Sequence, residues 1–143
     1  MAEKPPAVPD VVDHGVLHHS TGILCYGSDK LVLEVDRGIV DCYRSFLPRS
    51  VVLNRQKYDA HISVVRKEIP PRMEFWKKHA GEQVEFEYGN MIRHGTVYFW
   101  LNAWSVRLEE IRLELGLPVD SLYVVPPPGF RKTFHISLGN IKE

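Results

Sequence analysis

Only two cysteines, Cys25 and Cys42, occur in the 143 residues, and they form neither a CxxC pair nor a ligand cluster. That excludes a disulfide-stapled scaffold and a thiolate metal knuckle. The pair reads as free, buried thiols in a reducing compartment, with a disulfide between them as the alternative. Net charge is also missing: eighteen basic and eighteen acidic residues cancel to +0. A chain with no overall field does not attract long nucleic acid or an anionic membrane in bulk, although a local basic pocket stays open. No apolar run reaches membrane-spanning length, and Met1-Ala2-Glu3-Lys4-Pro5-Pro6 lacks an apolar signal core. The expectation is a cytoplasmic protein with no membrane partner. A chain of this length predicts one domain, 1–143, able to bury a core without disulfides or metal. Its Pro-rich residues 1–12 are expected to be poorly ordered at their start.

Histidine is present in number. His14, His18 and His19 cluster near the start of the chain, but no i, i+4 histidine pair is backed by a carboxylate or thiol. The spacing therefore predicts no metal site. His14, His18, His19, His79 and His94 read as surface or loop residues. Hydrophobic periodicity predicts strands over 31–35, 59–66, 82–88, 96–104 and 133–139. It predicts helices over 37–47 and 105–115, with Ser105 as an N-cap, and a short one over 72–79 opened by Pro71. Gly22 to Gly27 is a short apolar piece ending in a glycine turn.

One phrase occurs twice: Ala60-His61-Ile62-Ser63-Val64 and Phe134-His135-Ile136-Ser137-Leu138. Alternation along a strand puts His61 and Ser63 on one face and Ile62 and Val64 on the other. His135 and Ser137 are likewise separated from Phe134, Ile136 and Leu138. A repeated tripeptide alone carries little weight, and a single strand histidine is ordinarily structural. Here the approach repeats too: strand (31–35), helix (37–47), loop, His strand, then strand (96–104), helix (105–115), loop, His strand. This order reads as an internal duplication, with two lobes packed face to face and both His-Ser faces lining one cleft.

Two facing imidazoles can divide acid and base duties, one taking a proton from an attacking oxygen and the other giving one to a leaving oxygen. Ser63 and Ser137 can donate to phosphoryl oxygens as charge grows there. No metal or cofactor is required. A serine nucleophile fits less well, because no Ser-His-Asp arrangement is visible.

These paired H-x-S motifs resemble the 2H phosphoesterase superfamily from about residue 20 onward. The resemblance implies a bilobal α+β fold of two pseudo-symmetric antiparallel-sheet-plus-helix lobes around a central cleft. It implies catalytic His61, Ser63, His135 and Ser137, and metal-independent chemistry on phosphodiesters next to a ribose 2′ hydroxyl or on 2′,3′-cyclic phosphates. Chain size and the Tyr26-Gly27 piece look similar to small phage enzymes that degrade cyclic oligonucleotide signals of CBASS anti-phage defence. Both motifs carry Ser where Thr is common in that group, which keeps the hydroxyl but loses a rotamer-fixing methyl.

The implied partner is a small nucleotide, a cyclic oligonucleotide. Tyr26, Tyr98 and Trp100 are its aromatic candidates, with Trp104 more suited to the core. Arg66 and Lys132 are phosphate candidates beside the motifs, with Lys67 and Arg131 as neighbours. Glu143 could orient a histidine or contact a base. The alternatives are a 2H enzyme acting on linear RNA ends, 2′,5′ linkages or 2′,3′-cyclic phosphates, and a non-catalytic nucleotide-binding module. Base, ring size and oligomeric state are not written in the sequence.

Overall fold

A computed structural model describes residues 14–54, 59–120 and 124–141. The expectations for residues 1–12 and for Glu143 lie outside them. Among these residues seven strands form: β1 (Leu17–Tyr26), β2 (Leu31–Glu34), β3 (His61–Val65), β4 (Gln83–Gly89), β5 (Arg93–His94), β6 (Tyr98–Trp104) and β7 (Phe134–Asn140). Two helices join them, α1 (Arg37–Arg44) and α2 (Val106–Glu114).

Alternation decides which side chains face inward. Leu33, Ile62, Leu101 and Ile136 come from four neighbouring strands and each has 0% of its surface exposed. Burying such a side chain contributes about 1.5–3 kcal/mol. Leu24, Val84 and Phe86 extend the same core onto β1 and β4.

The bilobal α+β expectation is overturned. The pairings run β1–β2, β2–β3, β3–β7, β7–β6, β6–β4 and β4–β1, all antiparallel, and so return to their start. The result is a closed six-stranded barrel, with β5 attached outside the ring on β6. The physical reason is edge pairing. Sheets of two separate lobes would each keep open edges. Here β3 joins β7 through Ile62 and Ile136, and β1 joins β4 from Leu17 to Ile23. Closure removes unpaired edges and encloses one core. With helices of eight and nine residues only, the fold is mostly β.

The barrel has an approximate internal two-fold order. Exchanging β1, β2 and β3 for β4, β6 and β7 leaves every neighbour relation of the ring unchanged. Each helix follows the middle strand of its half, so α1 and α2 sit at opposite mouths of the barrel. The exchange extends to two arginines. Arg44 of α1 donates through Nη1 to the Leu138 carbonyl on β7 at 2.6 Å. Arg112 of α2 donates through Nη1 to the Val64 carbonyl on β3 at 2.8 Å. Each helix thus fastens the histidine strand of the other half, three residues past the histidine. Gly139 makes the first contact possible: its φ is +144, and a Cβ there would lie 2.6 Å from Arg44 Nη1.

Several local expectations shift. β1 was divided between a histidine cluster and an apolar piece, yet it is one ten-residue strand paired on both sides. Gly22 in its middle lets it press onto β2; a Cβ would collide with the Glu34 carbonyl and approach Leu33 Cγ to 2.8 Å. The helix expected over 72–79 is only a 3₁₀ turn at Met73–Phe75, because Trp76 is extended and Lys77 turns left-handed at φ 71. α1 stops at Arg44, where Phe46 and Leu47 tighten into bonds to Tyr43 and Arg44 carbonyls before Pro48. Ser105 caps α2 as expected, accepting from the Leu108 amide at 3.2 Å. Both cysteines are free, but they are not buried: Cys25 is half-buried and Cys42 exposed. The inward residues of α1 are Ile39, Val40 and Tyr43, which turns Cys42 outward.

Candidate functional site

The Ile62–Ile136 pairing sets the geometry of the two motifs. Carried one residue either way, this antiparallel register puts His61 beside Ser137 and Ser63 beside His135. The isoleucines point into the barrel, so all four polar residues point out. Directly opposed Cβ atoms in such a pair are roughly 4.5–5.5 Å apart, and diagonal neighbours such as His61 and His135 roughly 7–8 Å, within reach for long side chains. The cleft expected between lobes is absent, since there are no lobes. The two histidines share one open outer wall instead.

Flanking strands extend the wall. β6 adds Trp100 opposite Ser137 and Asn102 opposite His135. β2 adds Glu34 opposite His61 and Val32 opposite Ser63. Two rows result: Glu34, His61, Ser137 and Trp100, then Val32, Ser63, His135 and Asn102.

The histidines differ in surroundings. His61 Nδ1 lies 2.7 Å from the Asp59 carbonyl oxygen. A carbonyl only accepts, so Nδ1 carries the hydrogen and Nε2 is the nitrogen left for exchange. His135 packs against Trp100, ring centroids 5.1 Å apart and planes at 35°. Its residue surface is open to solvent, but protein crowds the ring. Burial, and then the Lys132 charge, push its pKa below the ordinary histidine value. His135 is therefore held neutral at neutral pH, fit to accept a proton.

The binding candidates scatter. Trp100 is part of the wall, and Tyr98 lies on the same strand paired with Asn140, 52% exposed. Lys132 stands just before β7, half-buried, its Nζ 5.6 Å from the Phe134 ring centre. Burial and Arg112 push its pKa down. Arg66 is exposed just past β3, on the side of the barrel where α2 sits. Tyr26 is not brought to the wall. It pairs with inward-facing Leu31 and meets Trp76 edge-on at 5.0 Å. Trp104 is 1% exposed and donates to Thr133 Oγ1 at 3.0 Å, a core role. Arg131 pairs with Asp120 at 3.1 Å.

The remaining histidines disperse. His18 and His19 are consecutive on β1 and face opposite ways, one toward Tyr88 and the other 3.4 Å from Glu85. His94 stacks on Phe99. His79 is not the surface residue expected; it lies between Glu82 at 3.3 Å and Glu114 at 2.7 Å. Among the described residues no group of three or more His, Cys, Asp or Glu side chains is arranged to hold a metal. No helix among them is long and apolar enough to cross a membrane.

Asn102, opposite His135, is a site residue that the sequence analysis does not name. Its signal was an amide in the middle of an otherwise apolar and aromatic strand. Comparison with family models, curated proteins and solved structures finds no match for this chain.

Proposed function

We propose that the protein is a metal-independent phosphodiesterase that cleaves 3′–5′ bonds of small cyclic oligonucleotides by attack of the neighbouring 2′ hydroxyl. The observation that carries this reading is the adjacency of two His-x-Ser pairs on β3 and β7, facing one side in opposed register. Their likeness to the paired motifs of 2H phosphoesterases supports the same chemistry. Zero net charge suits a small ligand better than a long RNA. A role in counteracting CBASS signalling follows from that likeness.

In the reaction, His135 takes the 2′ hydroxyl proton as the oxygen bonds to phosphorus. The bond from phosphorus to the 5′ oxygen breaks, and His61, entering the step protonated on both ring nitrogens, passes its Nε2 proton to that leaving oxygen. The products are a 2′,3′-cyclic phosphate end and a 5′ hydroxyl. Water then opens the cyclic phosphate with the two roles reversed. Ser63 and Ser137 donate to the non-bridging oxygens as their charge grows.

The test is incubation with cyclic dinucleotides, cyclic trinucleotides and 2′,3′-cyclic phosphates, followed by mass spectrometry. Expected are linear products with a 2′,3′-cyclic or opened phosphate, formed equally in excess EDTA and absent from 2′-deoxy analogues. Ligand bound but returned unchanged after long incubation would replace the enzyme with a binding module.

A further inference from the structure

Asn102 occupies an outward position on β6, in the row of Ser63 and His135, yet only 5% of it is exposed. Its Oδ1 accepts a hydrogen bond from Trp100 Nε1 at 3.0 Å. An indole N–H can only donate, so this contact fixes which end of the amide is oxygen. The Nδ2 group therefore faces away from Trp100. It has no hydrogen-bond partner among the described residues. The Nδ2 group is not sealed from solvent, so its open side is the outer wall itself. Asparagine is also a poor strand former. A residue that suits its strand badly, with one end of its amide locked and the other open beside the two histidines, is placed to bind a ligand there.

We propose that Asn102 is a substrate-binding residue whose Nδ2 donates to a non-bridging oxygen of the phosphodiester held between His61 and His135. This rests on the phosphodiesterase reading and adds a third donor to Ser63 and Ser137. With Oδ1 turned to the indole, the donor end of the amide is the one presented to the wall, and a donor matches a phosphoryl oxygen. The donor is neutral, which suits a singly charged diester more than a doubly charged phosphate monoester. Its position on a strand, locked by an indole, keeps it in place before substrate arrives, the arrangement that favours charge developing in the transition state.

The rival role is purely local: Asn102 would only hold the Trp100 ring against His135. Three variants separate the two. Asn102→Asp keeps an acceptor for the indole but loses the donor. Asn102→Ala loses both. Trp100→Phe keeps a ring over His135 and removes the indole N–H. Turnover of a 3′–5′ cyclic dinucleotide is measured with each, together with binding of its uncleavable 2′-deoxy analogue and a thermal melt.

Expected are losses in kcat of about 10²-fold for both Asn102 variants. Binding of the deoxy analogue should weaken less than tenfold, and Trp100→Phe should lose much less kcat than either. Equal losses for Asn102→Ala and Trp100→Phe, with Asn102→Asp near wild type, would overturn the donor role, and Asn102→Asp remains decisive if Asn102→Ala melts early. Wild-type turnover left intact by both Asn102 substitutions would remove this inference alone. Wild-type protein that neither cleaves the dinucleotide nor binds its analogue would remove the phosphodiesterase reading and this inference with it.

Discussion

His61 and His135 occupy equivalent places in the two halves and each stands beside the other motif's serine, but their remaining neighbours differ. His61 begins its strand, gives its Nδ1 hydrogen to a backbone carbonyl, and faces Glu34 across β2. His135 lies under Trp100, beside Asn102, within the field of Lys132. A carboxylate stands next to one, while crowding and a cation bear on the other. Symmetric motifs thus sit in asymmetric surroundings, which is what the proposed division into acid and base needs.

The strongest way to break this contrast is to remove the rings. His61→Ala and His135→Ala should each lower the rate by about 10²–10⁴-fold, and the double variant should lose little more, because the pair works as a unit. A double variant with full activity would end the proposed chemistry.

The arginines offer the second contrast. Arg112 is buried, holds Glu68 through two bonds at 2.8 and 2.9 Å, and also donates to the Pro118 carbonyl. Arg44 is half-buried and, among the described residues, donates to carbonyls alone, those of Leu138 and Asn54. Arg112→Ala should therefore cost about 3–5 kcal/mol in denaturant unfolding, since it strands the Glu68 carboxylate and the Val64 and Pro118 carbonyls. Arg44→Ala should cost nearer 1.5 kcal/mol. Equal costs would mean that the Glu68 pair adds nothing.

Acid separates them further. The Arg112 hydrogen bonds hold the Glu68 carboxyl below its usual range. The unfolded chain then takes up that proton at higher pH than the folded one. Stability from this pair is complete above the ordinary carboxylate range and is lost as pH falls through the lowered value. Melting temperature should fall less on acidification in Arg112→Ala than in wild type.

The smallest expected effect concerns the pH profile. With His135 as base, kcat/KM should rise with pH along an acidic limb below the ordinary histidine value. Trp100→Ala should move that limb up, because burial is the larger cause, and Lys132→Met should move it up by less. A limb unmoved by both would assign the base role elsewhere.

Legibility followed the range of the interactions. The two His-Ser faces were readable because strand alternation is a local property, and the α2 cap was readable from Ser105. Barrel closure was not. It depends on β1 meeting β4 and β3 meeting β7, contacts between segments far apart in sequence. β1 itself was obscured by His18, His19 and Gly22, which break the apolar pattern while serving pairing on both sides. Tyr26 looked like a ligand platform by its place before the first motif. Its position opposite Leu31 gives it to the interior. The Arg44 and Arg112 contacts had no local signature, since each joins a helix to a strand of the other half.

Those crossed guanidinium contacts carry a consequence for the molecule's divisibility. A fragment ending before Gln83 would hold His61 yet lack the Arg112 that steadies the strand behind it, and the complementary fragment would hold His135 without Arg44. Neither piece is self-sufficient, although each contains a full motif. Each half lends its arginine to the other's histidine strand, so the two are bound together as a couple and not merely set side by side.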